Sequence, residues 1–138
     1  MIDTDPYLYV HNCAIRLFIE WKKHPQLIVA VDFDETLFDF HEKGYTHEKV
    51  IALLKRCQEC GFYIVLFTAS APERHKFMND YMLGRGIVLD SINENPIPLP
   101  YGNHGKIFYN ILLDDRAGLG QAVETLTEVL KMIDNFTT

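Results

Sequence analysis

Asp32 and Asp34 stand one residue apart where the apolar run Leu27 to Val31 ends, in the string Ala30-Val31-Asp32-Phe33-Asp34-Glu35-Thr36-Leu37-Phe38. If strand geometry carries through them, both carboxylates leave on the same side. Two ionised groups that close repel unless something positive, or a shared proton, lies between them. A hard divalent cation with oxygen ligands is the simplest partner for the pair. The plainer alternative is that both residues cap the following turn, as aspartate commonly does.

Two more apolar runs end in polar groups. Thr68 follows Phe62 to Phe67, and Asp114-Asp115-Arg116 follows the run ending at Leu113. Carboxylates and a hydroxyl gathered around one crevice suit magnesium, which takes one or two carboxylates, keeps several waters and shares the rest with a substrate phosphate. One aspartate could then attack phosphorus and pass through an aspartyl-phosphate. The other could protonate the leaving oxygen and later deprotonate water. Thr68 could hydrogen-bond a phosphate oxygen, and backbone N–H groups in the turn after the first strand could hold the others.

These residues need strands whose carboxyl ends meet, and the periodicity supplies them. Residues 6–23 read as a helix with Asp5 as cap, Pro6 in the first turn and Pro25 beyond its end. A buried strand follows over about 27–33, and a helix over about 46–60, capped by Thr46 and stopped by Gly61. Residues 62–67 make a second strand, and Ser70-Ala71-Pro72-Glu73 resembles a capping box opening a third helix to about Leu83. Ile87 to Leu89 reads as a short third strand, 90–105 as a long ordered loop, 106–113 as a fourth strand and 119–136 as a last helix. Strands alternating with helices predict an α/β, three-layer Rossmann-like domain, with a mostly parallel sheet of about four to five strands. Ligands of such sheets bind outside the carboxyl ends of the strands, at the topological switch point.

The 138 residues suit one domain over 1–138, with the helix 6–23 packed on its core. With 48% hydrophobic and 23% charged residues the composition is globular. No run of about 18 apolar residues predicts a membrane span, and the acidic N-terminus does not read as a secretory signal. Three cysteines without framework spacing fit a reducing, cytoplasmic setting. A net charge of −6 argues against stable nucleic-acid binding.

The string Asp32-Phe33-Asp34-Glu35-Thr36-Leu37 resembles the first motif of the haloacid dehalogenase (HAD) superfamily of phosphohydrolases. Thr68 is similar to its second motif and Asp114-Asp115 to its fourth, in the family's order, over about residues 27–120. The resemblance implies a magnesium-dependent phosphomonoesterase with Asp32 as nucleophile and metal ligand. Asp34 would be general acid/base, with its backbone carbonyl on the metal. Thr68, with Ala69 and Ser70 beside it, would bind the phosphoryl group. Asp115 would reach the metal, and Asp114 would stand behind it or hold a metal-bound water. The family's third motif is a lysine or arginine, and Lys106 is the candidate by order. A fully extended stretch would place Lys106 roughly 25 Å from Asp114, so Arg74, Lys76 and Arg116 are the alternatives. The short connections 35–46 and 90–106 resemble those of capless members, whose open sites suit exposed phosphate esters: small molecules, nucleotides, nucleic-acid ends or phosphoproteins.

The remaining motifs have plainer readings. Cys57 and Cys60 fall on a helix without a second pair, which suits packing better than zinc. His41 and His47 read as surface histidines and Arg74-His75-Lys76 as a solvated basic face, while Asn93-Glu94-Asn95, Tyr101, Asn103 and His104 lie on the loop best placed to be a lid or recognition rim, with polar surface as the alternative. The competing functional reading is a non-catalytic module that keeps the fold and binds phosphate or a partner.

Overall fold

The computed structural model describes residues 4–99 and 107–138. The elements are helix α1 (Val10–Lys23), strand β1 (Ile28–Val31), helix α2 (Glu48–Glu59), strand β2 (Tyr63–Leu66), helix α3 (His75–Gly84), strand β3 (Ser91–Ile92), strand β4 (Ile111–Leu113) and helix α4 (Leu119–Thr137). The four strands form one parallel sheet in the order β3-β2-β1-β4. Every residue of β1 is buried, as a central parallel strand covered on both faces must be. The result is the expected three-layer Rossmann-like α/β domain.

Helices α1 and α4 pack on each other, α4 on β4 and α2 on β2. The rings of Phe18, Trp21 and Phe136 lock α1 to α4, with centroids 5.6–5.7 Å apart. Gly61, at φ 80°, ends α2: its N–H donates to the Gln58 carbonyl, and the N–H of Phe62 to that of Cys57. No described helix is long and apolar enough to cross a membrane.

The predicted helix entries shift in three places, while the first helix ends where expected. The first helix begins at Val10 rather than residue 6, because Pro6–Leu8 forms a separate 3-10 turn and Tyr9 is extended. It stops at Lys23, since His24 precedes Pro25 and is driven out of the helical region. The second helix is entered through His47, in a left-handed conformation (φ 53°), and not through a Thr46 cap. Ser70 does not cap the third helix; a 3-10 turn, Pro72–Arg74, leads into α3.

The third strand is Ser91–Ile92, not 87–89, and the described part of the fourth is only Ile111–Leu113. One device explains both. Asp90 takes the N–H of Ile64 on its side chain (2.7 Å) while its own N–H donates to the Ile64 carbonyl (2.8 Å). Asn110 does the same with Ile28, at 2.7 and 2.8 Å. A short polar side chain thus replaces the first rung of each ladder, and regular pairing starts one residue later.

Candidate active site at the carboxyl edge of the sheet

The chain runs from β1 outward to β2 and β3, then returns to place β4 on the other side of β1. The switch point therefore lies between β1 and β4, and the residues that follow these two strands face it. Asp32 follows β1, with its N–H still on the Leu113 carbonyl at 2.9 Å, and Asp114 and Asp115 follow β4. One carboxylate oxygen from each of Asp32, Asp114 and Asp115 lies within 4.8 Å of the others. A cleft of about 780 Å³ opens over them, also lined by Asp34, Thr68 and Arg116.

Thr36 ties this cluster together. It is fully buried, and its hydroxyl lies 3.2 Å from Asp32 Oδ2 and 3.2 Å from Asp115 Oδ1. The hydroxyl oxygen also accepts the N–H of Asp115 at 3.0 Å. Its one hydrogen serves one carboxylate at a time, so the carboxylates are left short of positive charge. The Asp32 carboxyl is accordingly pushed up to about 7, first by burial, then by its hydrogen-bonding contact with Asp115 and by the charge of Asp114. A donor set made entirely of oxygens, crowded and negative, fits a hard divalent cation. Asp32, Asp114 and Asp115 are the residues that would hold it.

Asp34 departs from the expectation that one cation lies between it and Asp32. The strand ends at Val31, and the backbone turns through a bridge between Asp34 and Phe38, with Glu35 left-handed at φ 62°. The carboxylate of Asp34 turns to Arg74 instead: Nη2 donates to Oδ1 and Nη1 to Oδ2. Nη1 also reaches the Ser70 hydroxyl at 3.0 Å. The guanidinium carbon lies 5.3–5.9 Å from the ring centroids of Phe33, Phe38, Phe40 and Phe77. Arg74 is therefore no part of a solvated basic face.

Of the other candidate cations, Arg116 lines the cleft and Lys76 is exposed and paired with Asp80. Lys106, Tyr101, Asn103 and His104 lie outside the described residues. The N–H groups of Glu35 to Phe38 are engaged by the Phe33 and Phe38 carbonyls within their own turn, so these four are not free to hold a phosphate.

Thr68, Ala69 and Ser70 line the cleft as expected. The Thr68 hydroxyl accepts the Ser70 N–H at 3.1 Å and keeps its own hydrogen to donate. Asn93 clasps Thr68 from behind, its Oδ1 taking the Thr68 N–H and its Nδ2 donating to the Thr68 carbonyl, both at 2.8 Å. Asn93 is left-handed, at φ 55°, a conformation asparagine tolerates. His41 is exposed, as expected of a surface histidine, and it also lines the cleft. Cys57 is buried, its thiol pushed up to about 12 mainly by burial, as packing requires and a metal ligand does not.

Sequence reasoning gave Thr36 no role of its own, placed Asn93 only on the long loop, and passed over the phenyl rings around Arg74. Thr36 left one signal: a threonine inside the apolar string Phe33 to Phe38, where a hydroxyl needs a buried partner. Asn93 left none, because its partner is 25 positions away.

No family profile and no curated protein matches the sequence. A solved structure described as a conserved protein from Bacteroides thetaiotaomicron is similar in fold, with a TM-score of 0.60 and 21% identity. The alignment covers 82% of this chain and 93% of that one. At such identity the likeness speaks for the fold alone.

Proposed function

We propose that the chain is a magnesium-dependent phosphohydrolase acting on phosphate monoesters, as the resemblance of its motifs to HAD phosphatases implies. The observation that carries this reading is the meeting of Asp32, Asp114 and Asp115 with Thr68 in one cleft at the switch point. Magnesium, when bound, would offset the charge of the carboxylates and of the phosphate.

The chain's own residues would divide the work. Arg74 yields one of its two hydrogen bonds and the freed Asp34 oxygen takes up a proton from solvent; Asp32 then forms a bond to phosphorus as the ester oxygen leaves, and Asp34 gives that oxygen its proton. Asp34 then takes a proton from water, whose oxygen attacks phosphorus and releases phosphate and the Asp32 carboxylate. Thr68 donates to a phosphoryl oxygen, and Thr36 keeps Asp32 and Asp115 in register. Three cysteines, all thiols, suit the reducing cytoplasm.

The test is phosphate release from an aryl phosphate and a panel of monoesters with and without magnesium, with Asp32→Asn as control. Metal-dependent turnover lost in Asp32→Asn supports the reading. A trifluoroberyllate adduct on Asp32 in crystals grown with magnesium and beryllium fluoride would support it independently. No turnover across the panel, together with no such adduct, sinks it in favour of a non-catalytic phosphate-binding module.

A further inference from the structure

The cleft holds two aromatic rings that phosphoryl chemistry does not use. Phe40 is 51% exposed and Phe67 39% exposed, and both line the cleft beside the carboxylates. Phe40 is not a loose loop residue. The Arg74 guanidinium carbon lies 5.3 Å from its ring centroid, and the His41 ring meets it edge-on at 5.1 Å. Its N–H donates to the Phe38 carbonyl at 2.9 Å, and the Asp39 carboxylate accepts the N–H groups of Lys43 and Gly44 at 3.0 and 2.7 Å. The segment is bracketed by two left-handed, non-glycine residues, Glu35 (φ 62°) and Glu42 (φ 52°). Backbone of this kind persists where its surroundings over-determine it, and it gathers at ligand clamps. The ring is thus presented to the cleft in a fixed place.

The cleft, at about 780 Å³, is far larger than a phosphoryl group needs and lies in the range of roughly 300–1,000 Å³ that holds drug-sized ligands. A fixed phenyl face stacks on any nucleobase. Arg116 is the one lysine or arginine among the described residues lining the cleft, and the chain carries a net charge of −6. That balance suits one phosphate rather than a polyanionic strand. The geometry points to a nucleoside monophosphate as the ligand, its base stacked on Phe40 with Phe67 as a second apolar contact. This inference rests on reading the cleft as a phosphoryl site.

Two measurements test it. With magnesium, kcat/KM for adenosine and cytidine 5′-monophosphates should exceed that for ribose 5-phosphate by about tenfold or more, the scale of one base stacked on one aromatic ring. That ratio should collapse in Phe40→Leu, which keeps apolar bulk but not the flat face, and persist in Phe40→Trp. The second readout needs no turnover: in Asp32→Asn, the base protons of adenosine monophosphate should show upfield ring-current shifts on binding, reduced in Asp32→Asn/Phe40→Leu. Shifts without hydrolysis of any ester would remove the phosphohydrolase reading and leave the stacking platform. Hydrolysis of ribose 5-phosphate and nucleotides at equal rates, unchanged by Phe40→Leu and without shifts, would remove the platform and leave the hydrolase. A 5′-phosphorylated oligonucleotide preferred over the mononucleotides would also overturn it.

Discussion

Arg74 grips Asp34 with both arms of its guanidinium, Nη1 to Oδ2 at 2.5 Å and Nη2 to Oδ1 at 2.7 Å. The two side chains are 27% and 29% exposed, so water screens the pair only in part. Lysine cannot reproduce a planar fork or lie flat among phenyl rings. Arg74→Lys should therefore lower stability by about 1.5–3 kcal/mol, the range for hydrogen bonds to charged groups, read as a fall in the urea midpoint. A double-mutant cycle with Asp34→Asn should show that the two effects are not additive. An unchanged midpoint in Arg74→Lys would mean that the pair does not order the loop.

Asp32 makes metal-free stability depend on pH in an unusual direction. Its folded value of about 7 lies above the ordinary 3.8, so the folded state holds a proton that the unfolded chain releases. The stability this group contributes is full below about pH 4 and is lost as pH rises towards about 7. Asp32→Asn should accordingly raise the metal-free Tm at pH 8 by a few degrees, with a smaller gain at pH 5. Magnesium should raise the wild-type Tm at pH 8 and do little for Asp32→Asn. Thermal melts at the two pH values decide it; a variant that melts below wild type at pH 8 would contradict the assignment.

Thr36 touches two of the three residues that would hold a metal, and does so from a fully buried position. Thr36→Val keeps the shape and removes the hydroxyl. Magnesium affinity should fall by about 10–100-fold, the usual effect of removing a group that orients metal ligands. Calorimetric titration with magnesium measures this directly. Unaltered affinity would show that Asp32 and Asp115 hold their positions without the hydroxyl.

Asn93 fixes Thr68 through two hydrogen bonds from a left-handed backbone. Asn93→Gly tolerates the backbone but loses both bonds, so a loss of about 1–3 kcal/mol is expected. The same variant should raise KM for a phosphate ester more than it lowers kcat, because Thr68 would still be present but no longer held. Steady-state kinetics beside a urea titration separate the two effects. A normal KM would place the clasp outside phosphate binding.

The fold and the acidic cluster were legible because both rest on short-range pattern. Leu27 to Val31 and Phe62 to Phe67 are apolar runs bounded by turn residues, and Asp32 and Asp114-Asp115 follow their strands directly. What stayed hidden depends on contacts between distant positions. The pairing of Arg74 with Asp34 joins residues 40 apart, and only the folded loop shows that Asp34 faces a guanidinium. The strand ends moved because Asp90 and Asn110 compete for backbone N–H groups 26 and 82 positions away. No periodicity records such a contest.

Asparagine at these ends also gives the protein an uneven chemical lifetime. Asparagine is thermolabile and ages to aspartate. Asn110 holds Ile28 through Oδ1, an atom that a simple change to aspartate retains. Asn93 uses both side-chain atoms, and its conversion would turn the donor to the Thr68 carbonyl into an acceptor beside an already acidic cleft. Such a conversion would leave the edge of the sheet paired and loosen the turn at Thr68 first.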